Sequence, residues 1–252
     1  MRAGLAITAA TIRQVLPLRR AIMYLVAITA PALIYLLMAS TLSDEAAALE
    51  RLMLMIISLY FPLLVPIVTL IVAAAVLGHE RRDGTLFFLV LRPIPRWVIA
   101  TAKLMAAILV AGGLSAFGGL ALAASYAVET GNWDLVVPLV AGGIVASIVY
   151  AAILVPLGFF TDRAVLVGLL VLLVFENGVL FAAPGLSDLS GWRIGFSTFV
   201  GMAPEETITS ELEDFAIEIA SLSTAVGRAV FLAVVSIIFV TMVLRTRDLA
   251  TE

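Results

Sequence analysis

Cysteine is absent from the 252-residue chain, and histidine appears once, as His79. Without thiols there is no disulfide framework and no thiolate metal site, and a single imidazole leaves almost no histidine chemistry to draw on. Charge is the next shortage. Asp, Glu, Lys and Arg make up 13% of the chain while 63% is hydrophobic, against about one quarter charged and one half apolar in soluble domains. A soluble fold of this length needs a polar shell, and too few polar residues are present to build one. Also missing is a Gly-x-x-x-x-Gly-Lys-Ser/Thr phosphate loop, and no Gly-Lys pair occurs anywhere. Any step driven by ATP therefore needs an ATPase on another polypeptide.

What the chain has is long apolar runs. Six of them, at 22–42, 52–78, 98–128, 135–160, 165–183 and 224–244, are each long enough to cross about 30 Å of hydrocarbon. The expected fold is an all-α polytopic membrane protein with six transmembrane helices, forming one domain over 1–252. Pro31, Pro62, Pro66 and Pro156 lie inside these runs, which membrane helices tolerate where neighbours re-satisfy the freed carbonyls. Ala111, Ser115, Gly119 and Ala123 recur every fourth residue in the third run, a stripe of small side chains expected at a helix–helix contact.

Residues 1–21 carry Arg2, Arg13, Arg19 and Arg20. These arginines interrupt what would be the apolar core of a signal peptide, so the segment reads as an interfacial helix with snorkelling arginines. Its apolar face is weak, with Leu5, Ile12 and Leu16 on one side and Pro17 inside. Residues 184–222 form an outer segment. Within it, Pro204 opens a helix in which Ile208, Leu212, Phe215 and Ile219 share one face, an amphipathic helix at the outer leaflet.

The basic residues settle orientation. Arg2, Arg13, Arg19, Arg20, Arg81, Arg82, Arg92, Arg96, Lys103, Arg163, Arg245 and Arg247 fall on one side, and only Arg51, Arg193 and Arg228 on the other. The rule that Lys and Arg stay inside makes the first side cytoplasmic, with both termini there, in a cell membrane. Asp44, Glu45, Glu50, Glu129 and Asp134 then lie outside, which reconciles a net charge of −3 with a membrane protein.

Two places carry polar chemistry. Glu176 and Asn177 interrupt the fifth run. A carboxylate at depth costs roughly 2.5 kcal/mol or more, so it faces protein or water. It is either a translocation-pathway group or a structural carboxylate bonded to a neighbouring helix. An intramembrane hydrolase is excluded by the lone His79 at the membrane edge, because neither a serine–histidine pair nor His-Glu-x-x-His can be assembled. Met53 and Met55 are ordinary helix filler and give no metal site. A secondary transporter or channel built on Glu176 would usually show repeated halves with paired charges, and none is evident.

The second place is the loop 79–97. It begins with charge, turns at Gly84, runs apolar for about two turns and stops at Arg92-Pro93, since a proline pushes its predecessor out of the α region. The apolar stretch is too short to span and must bury itself against another surface. From Glu80 through Arg96 it reads E-R-R-D-G-T-L-F-F-L-V-L-R-P-I-P-R, with Lys103 beyond.

This run resembles the loop between the second and third spans of type 2 ABC transporter permeases. There it reads roughly E-x-x-x-G-T-L-x-x-L-x-x-x-P-x-x-R, then a Lys early in the next span. Glu80, Gly84, Thr85, Leu86, Leu89, Pro93, Arg96 and Lys103 match, and the remaining layout fits: an N-terminal elbow helix, six spans, and an outer helical segment between the last two. The resemblance implies a coupling helix in which Glu80, Arg81, Arg82, Asp83, Gly84, Thr85, Leu86, Leu89, Arg92, Pro93 and Arg96 dock into a separate ATP-binding subunit. It further implies two copies of that ATPase, which carry the ATP and magnesium, and a second permease chain, identical or a sister subunit. This chain itself would be non-catalytic and hold no cofactor, and no nucleic-acid partner is expected. Substrates of the class include drugs, peptides, lipids and lipid-linked glycans; the apolar interior points to a hydrophobic or amphiphilic one. Lys103, about one turn inside the interface, is expected to bury its stem and snorkel its ammonium.

Overall fold

The computed structural model describes residues 2–41, 47–82, 94–158, 163–174, 176, 189–204 and 219–246. Among these residues the secondary structure is helical, with no strand. In order the helices are α1 (Arg2–Val15), α2 (Leu18–Ile28), α3 (Ala30–Thr41), α4 (Ala48–Met55), a π-helical segment (Ile56–Leu64), α5 (Val65–Arg82), α6 (Arg96–Thr130), α7 (Val136–Leu157), α8 (Ala164–Val174), α9 (Gly191–Met202) and α10 (Leu222–Thr246).

Four stretches are long and apolar enough to cross a membrane: Ala48–Val76, Arg96–Thr130, Val136–Leu157 and Leu222–Arg245. The pair α2 and α3, bent by 40°, makes a fifth if it is counted as one span, giving four or five candidate crossings among the described residues. Expected spans one to four and six thus have helical counterparts. Of the run 165–183 the structure describes α8, with 11 residues, and Glu176; residues 175 and 177–183 lie outside the described residues.

The prolines mark joints. Pro31 is the second residue of α3, just past the bend at Thr29, Pro66 is the second residue of α5, and Pro156 is the penultimate residue of α7. Just past the bend the missing N–H of Pro31 costs little, because groups in a first turn have no helical partner, whereas Pro66 follows directly on the π segment within one continuous helical stretch. Pro62 sits within the π segment, where the wider turn avoids the clash a proline makes with the carbonyl four residues back. At the bend, the Thr29 hydroxyl donates to the Leu25 carbonyl at 2.9 Å. The bend lies against α6 at Gly118, where a methyl group would come 2.5 Å from Ile28 Cγ1 and 2.8 Å from the Ile28 carbonyl oxygen.

Helix α7 is the centre. It packs most extensively against α6 and α9, and also against α5 and α10. The stripe of small residues on α6 does face another helix. Ala111, Ser115, Gly119 and Ala123 are all buried. A methyl on Gly119 would lie 3.0 Å from the Leu139 carbonyl oxygen of α7. Ser147 on α7 donates to the Ser115 hydroxyl at 2.8 Å or to its own Gly143 carbonyl at 2.9 Å, and Tyr60 donates to the Ser115 carbonyl at 2.6 Å. With no water to satisfy these hydroxyls in a lipid-facing bundle, helix-to-helix bonds are the remaining partners.

At the end of the bundle away from α1, three helices meet through one carboxylate. Glu129 on α6 accepts hydrogen bonds from Arg51 on α4 and from the Tyr35 hydroxyl on α3, and the Arg51 guanidinium lies 5.9 Å from the Tyr35 ring centroid. Arg51 and Glu129, assigned to the same side by sequence, do lie together. Helix α6 then ends at Gly131, whose φ of 78° is the left-handed C-terminal conformation glycine adopts without penalty.

On the other side of α7 lies α9, which the sequence reading placed within a broad outer segment rather than in the bundle. Its Gly191 abuts the Tyr150 ring, Gly195 meets Ala146, and Phe199 meets Gly142. As α7 descends from 142 to 150, α9 is met in reverse, so the two run antiparallel. Tyr150 is about 21 Å from the start of α7 at helical rise, which puts the N-terminus of α9 deep in the bundle, and its 12 residues cover about half of a crossing. Its fit is tight, since a methyl on Gly195 would sit 2.6 Å from Ala146 Cβ and 3.0 Å from the Gly142 carbonyl oxygen. Gly195→Ala is expected to lower stability by about 1–3 kcal/mol through overpacking, read as a lower unfolding temperature in detergent. Gly113→Ala, which would meet nothing within 4 Å, serves as the control and should leave it unchanged.

Candidate functional site

Two polar constellations stand out: the frame around the loop between α5 and α6, and the junction of α8 with α9.

The loop's two feet are helical. Helix α5 continues through Glu80 and Arg81 to Arg82, so these residues extend the second span rather than opening the loop. Arg96 opens α6, with Pro95 in an extended conformation just before it (φ −56°, ψ 133°). That break fits a proline, which restricts the chain ahead of a helix start. Asp83, Gly84, Thr85, Leu86, Leu89, Arg92 and Pro93 lie outside the described residues, as do Asn177 and the proposed amphipathic face at 208–215.

Just inside the feet is Lys103. It is 0% exposed, so its ammonium does not snorkel as expected. Instead Nζ donates to Thr11 Oγ1 on α1 at 2.9 Å and to the Val76 carbonyl on α5 at 3.2 Å. An ammonium taken out of water carries a penalty of several kcal/mol that only close polar partners offset. Here they come from two other helices. Sequence reasoning missed this because Thr11 is 92 positions away and Val76 is 27.

Helix α1 completes the frame. Thr11 and Val15 are buried against the bundle, while Leu5 is 72% exposed. The Thr8 hydroxyl donates to Gly4 O at 3.0 Å or reaches Ala102 O on α6 at 3.3 Å, and a methyl on Gly4 would lie 3.3 Å from Val98. The packed face is therefore Gly4, Thr8, Thr11 and Val15, flanked by the partly buried Ile12 and Leu16, and of the expected Leu5, Ile12, Leu16 face only Leu5 is left exposed. Small residues let backbones approach, which counts for more than apolar area where lipid is the alternative contact. Arg13, Arg19 and Arg20 remain on exposed positions.

The second constellation is built on Glu176. Its Oε2 accepts from the Ser190 hydroxyl at 2.6 Å and its Oε1 from the Gly191 backbone N–H at 3.1 Å. Ser190 is the N-cap of α9, its hydroxyl in turn accepting from the Arg193 N–H at 3.4 Å. The first N–H groups of a helix lack helical partners and carry its positive dipole end, so a carboxylate there is stabilised. The Tyr150 hydroxyl faces the same carboxylate without the alignment of a formed hydrogen bond. Arg193 belongs to this inner end of α9, its guanidinium 5.9 Å from the Trp192 ring centroid, and not to the outer loop where charge counting put it. Of the two readings of Glu176, this arrangement matches the structural carboxylate bonded to a neighbouring helix.

If Glu176 is an anchor for α9, Glu176→Leu should cost about 1–2 kcal/mol by leaving the N-terminus uncapped. Glu176→Gln, which retains an acceptor oxygen, should cost less than half as much. Unfolding in detergent measures both, and equal stability of the Leu variant and the wild type would contradict the anchor.

The sequence profile described as "ABC-2 family transporter protein" matches residues 17–179, which is well over half of the chain. No curated protein matches the chain significantly. The matched stretch runs from α2 through the Lys103 frame and the loop to the Glu176 region. With its several apolar crossings, this multi-pass membrane protein belongs to the ABC-2 family of transporter membrane proteins.

Proposed function

We propose that the chain is the permease subunit of an ATP-driven exporter and moves a hydrophobic or amphiphilic molecule out of the cytoplasm or the inner leaflet. The observation that carries this is the family match over 17–179, which includes the loop whose E-x-x-x-G-T-L-x-x-L-x-x-x-P-x-x-R pattern distinguishes it from a passive connector. In this reading the chain is non-catalytic, makes six crossings, and works with a second permease chain, identical or a sister. Two copies of an ABC ATPase supply ATP and magnesium. The docking surface is Glu80, Arg81, Arg82, Asp83, Gly84, Thr85, Leu86, Leu89, Arg92, Pro93 and Arg96. Leu86 and Leu89 fill a groove on the ATPase, and the flanking charges set register.

A secondary transporter working through Glu176 is the competing reading. The carboxylate's engagement with Ser190 and the α9 N-terminus weighs against it, because a pathway group must be free to exchange partners. Asn177 stays a pathway candidate alongside Glu176 only under that reading.

The docking surface is tested by co-purification of the tagged chain from its native membrane. An ATPase should accompany the wild type. Leu89→Asp, which sets a carboxylate in an apolar groove, should weaken it by about 100-fold or more, equivalent to roughly 2.7 kcal/mol. Retention of the ATPase by Leu89→Asp would sink the docking loop, and failure to capture one with the wild type would sink the permease reading.

Both termini and the docking loop are placed in the cytoplasm. Because the chain has no cysteine, single cysteines report orientation cleanly. Asp134→Cys should react with a membrane-impermeant maleimide on intact cells, while Arg163→Cys should react only after permeabilisation. The reverse pattern would invert the topology.

A further inference from the structure

One side chain joins both feet of the docking loop to the N-terminal helix. Lys103 lies seven residues into α6, about 10 Å past its start, and Val76 lies six residues before the end of α5, about 9 Å before it. The Lys103 ammonium contacts the Val76 carbonyl across that gap and Thr11 on α1. The surroundings are closed, with Lys103 0%, Val76 1% and Thr11 2% exposed. A second contact, Thr8 to the Ala102 carbonyl at 3.3 Å, fixes α1 against the same turn of α6.

A purely topological lysine, whose task is to hold the chain's orientation, works from the interface with its charge in water. Burying it in a three-helix junction costs several kcal/mol before its bonds are counted, while an apolar residue of the same length would fill the space without that cost. The ammonium supplies directional bonds to two elements that a methionine could not hold in register.

We propose that Lys103 is a positioning residue, a strut that makes α1, the end of α5 and the start of α6 move as one body when the loop is displaced. This rests on the permease reading above and assigns to it the element that carries loop motion into α1. In the strut's absence the ATPase still docks, but α1 no longer follows.

The test uses the full chain with its ATPase, reconstituted in lipid, and spin labels at Leu5→Cys on α1 and Val137→Cys at the far end of α7. These positions are 72% and 64% exposed, and no native cysteine competes. In the wild type, trapping with ATP and vanadate should shift the label distance by a few ångström. Lys103→Met should keep the ATPase bound and the nucleotide trapped yet lose that shift, and Lys103→Arg should restore it. Thr11→Val, which keeps the side-chain shape and removes the acceptor, should reduce the shift as well, and it answers the question if Lys103→Met fails to fold. An undiminished shift in Lys103→Met or in Thr11→Val, or no shift in a wild-type complex that traps nucleotide, overturns the strut while leaving the permease reading intact. Absence of any bound ATPase in the wild type overturns the permease reading instead.

Discussion

Close backbone packing around α7 is the constraint on which the rest of the structure depends. Gly142 and Gly143 are neighbours in sequence but point to different partners: Gly142 meets Gly195, Phe61 and Phe199, while Gly143 meets the Tyr60 hydroxyl and the Ser115 carbonyl. Between lipid and a buried side chain there is little hydrophobic gain, so association in such a bundle relies on contact distance and hydrogen bonds. Two adjacent glycines let α7 be approached closely from two directions. The aromatic residues Phe61, Phe196 and Phe199 then fill the space that the missing side chains leave, with ring centroids 6.0 to 6.3 Å apart along that row. Tyr60 and Phe61 come from the π segment, whose wider turn brings both buried rings into this centre.

Around that centre, three ionisable groups among the described residues tie separate segments together. Glu129 joins α3, α4 and α6 at one end. Lys103 joins α1, α5 and α6 at the other. Glu176 ties the end of α8 to the start of α9 between them. Each is an ionisable group whose burial is tolerable because other segments supply its partners, two helices for Lys103 and Glu129 and the start of α9 for Glu176, and each reports where those segments have to stay in register.

Much of this architecture was legible in the sequence, and the failures share a cause. Long apolar runs gave the crossings, because length against bilayer thickness is a one-dimensional property. The stripe Ala111, Ser115, Gly119 and Ala123 gave a helix contact, because its spacing is local. The prolines were read only as tolerated inside the runs; that Pro31 marks a bend and Pro62 a π segment was not. What could not be read depends on partners remote in sequence. The burial of Lys103 needs Thr11 and Val76, and the capping role of Glu176 needs Ser190. The α9 half-helix was hidden because 12 residues are too few to register as a crossing. Its signal was Gly191-x-x-x-Gly195 followed by Phe196 and Phe199, a small-residue stripe with aromatic filling. On α1, Ile12 and Leu16 do pack against the core, and what was missed is the contribution of the small residues Gly4, Thr8 and Thr11, because apolar side chains were weighted over small ones.

The half-helix has an electrical consequence. Helix α9 starts deep in the bundle with Glu176 against its positive end, so a slide of α9 along the membrane normal that kept those bonds would carry that carboxylate through part of the transmembrane voltage. Moving a full charge across the whole membrane is worth about 2.3 kcal/mol per 100 mV. A slide of one helical turn, 5.4 Å in about 30 Å of hydrocarbon, is worth roughly 0.4 kcal/mol at that voltage. The overlap a single methyl would create at Gly195 is costlier than that. Membrane potential is therefore too weak to set the position of α9, and steric fit against α7 sets it instead.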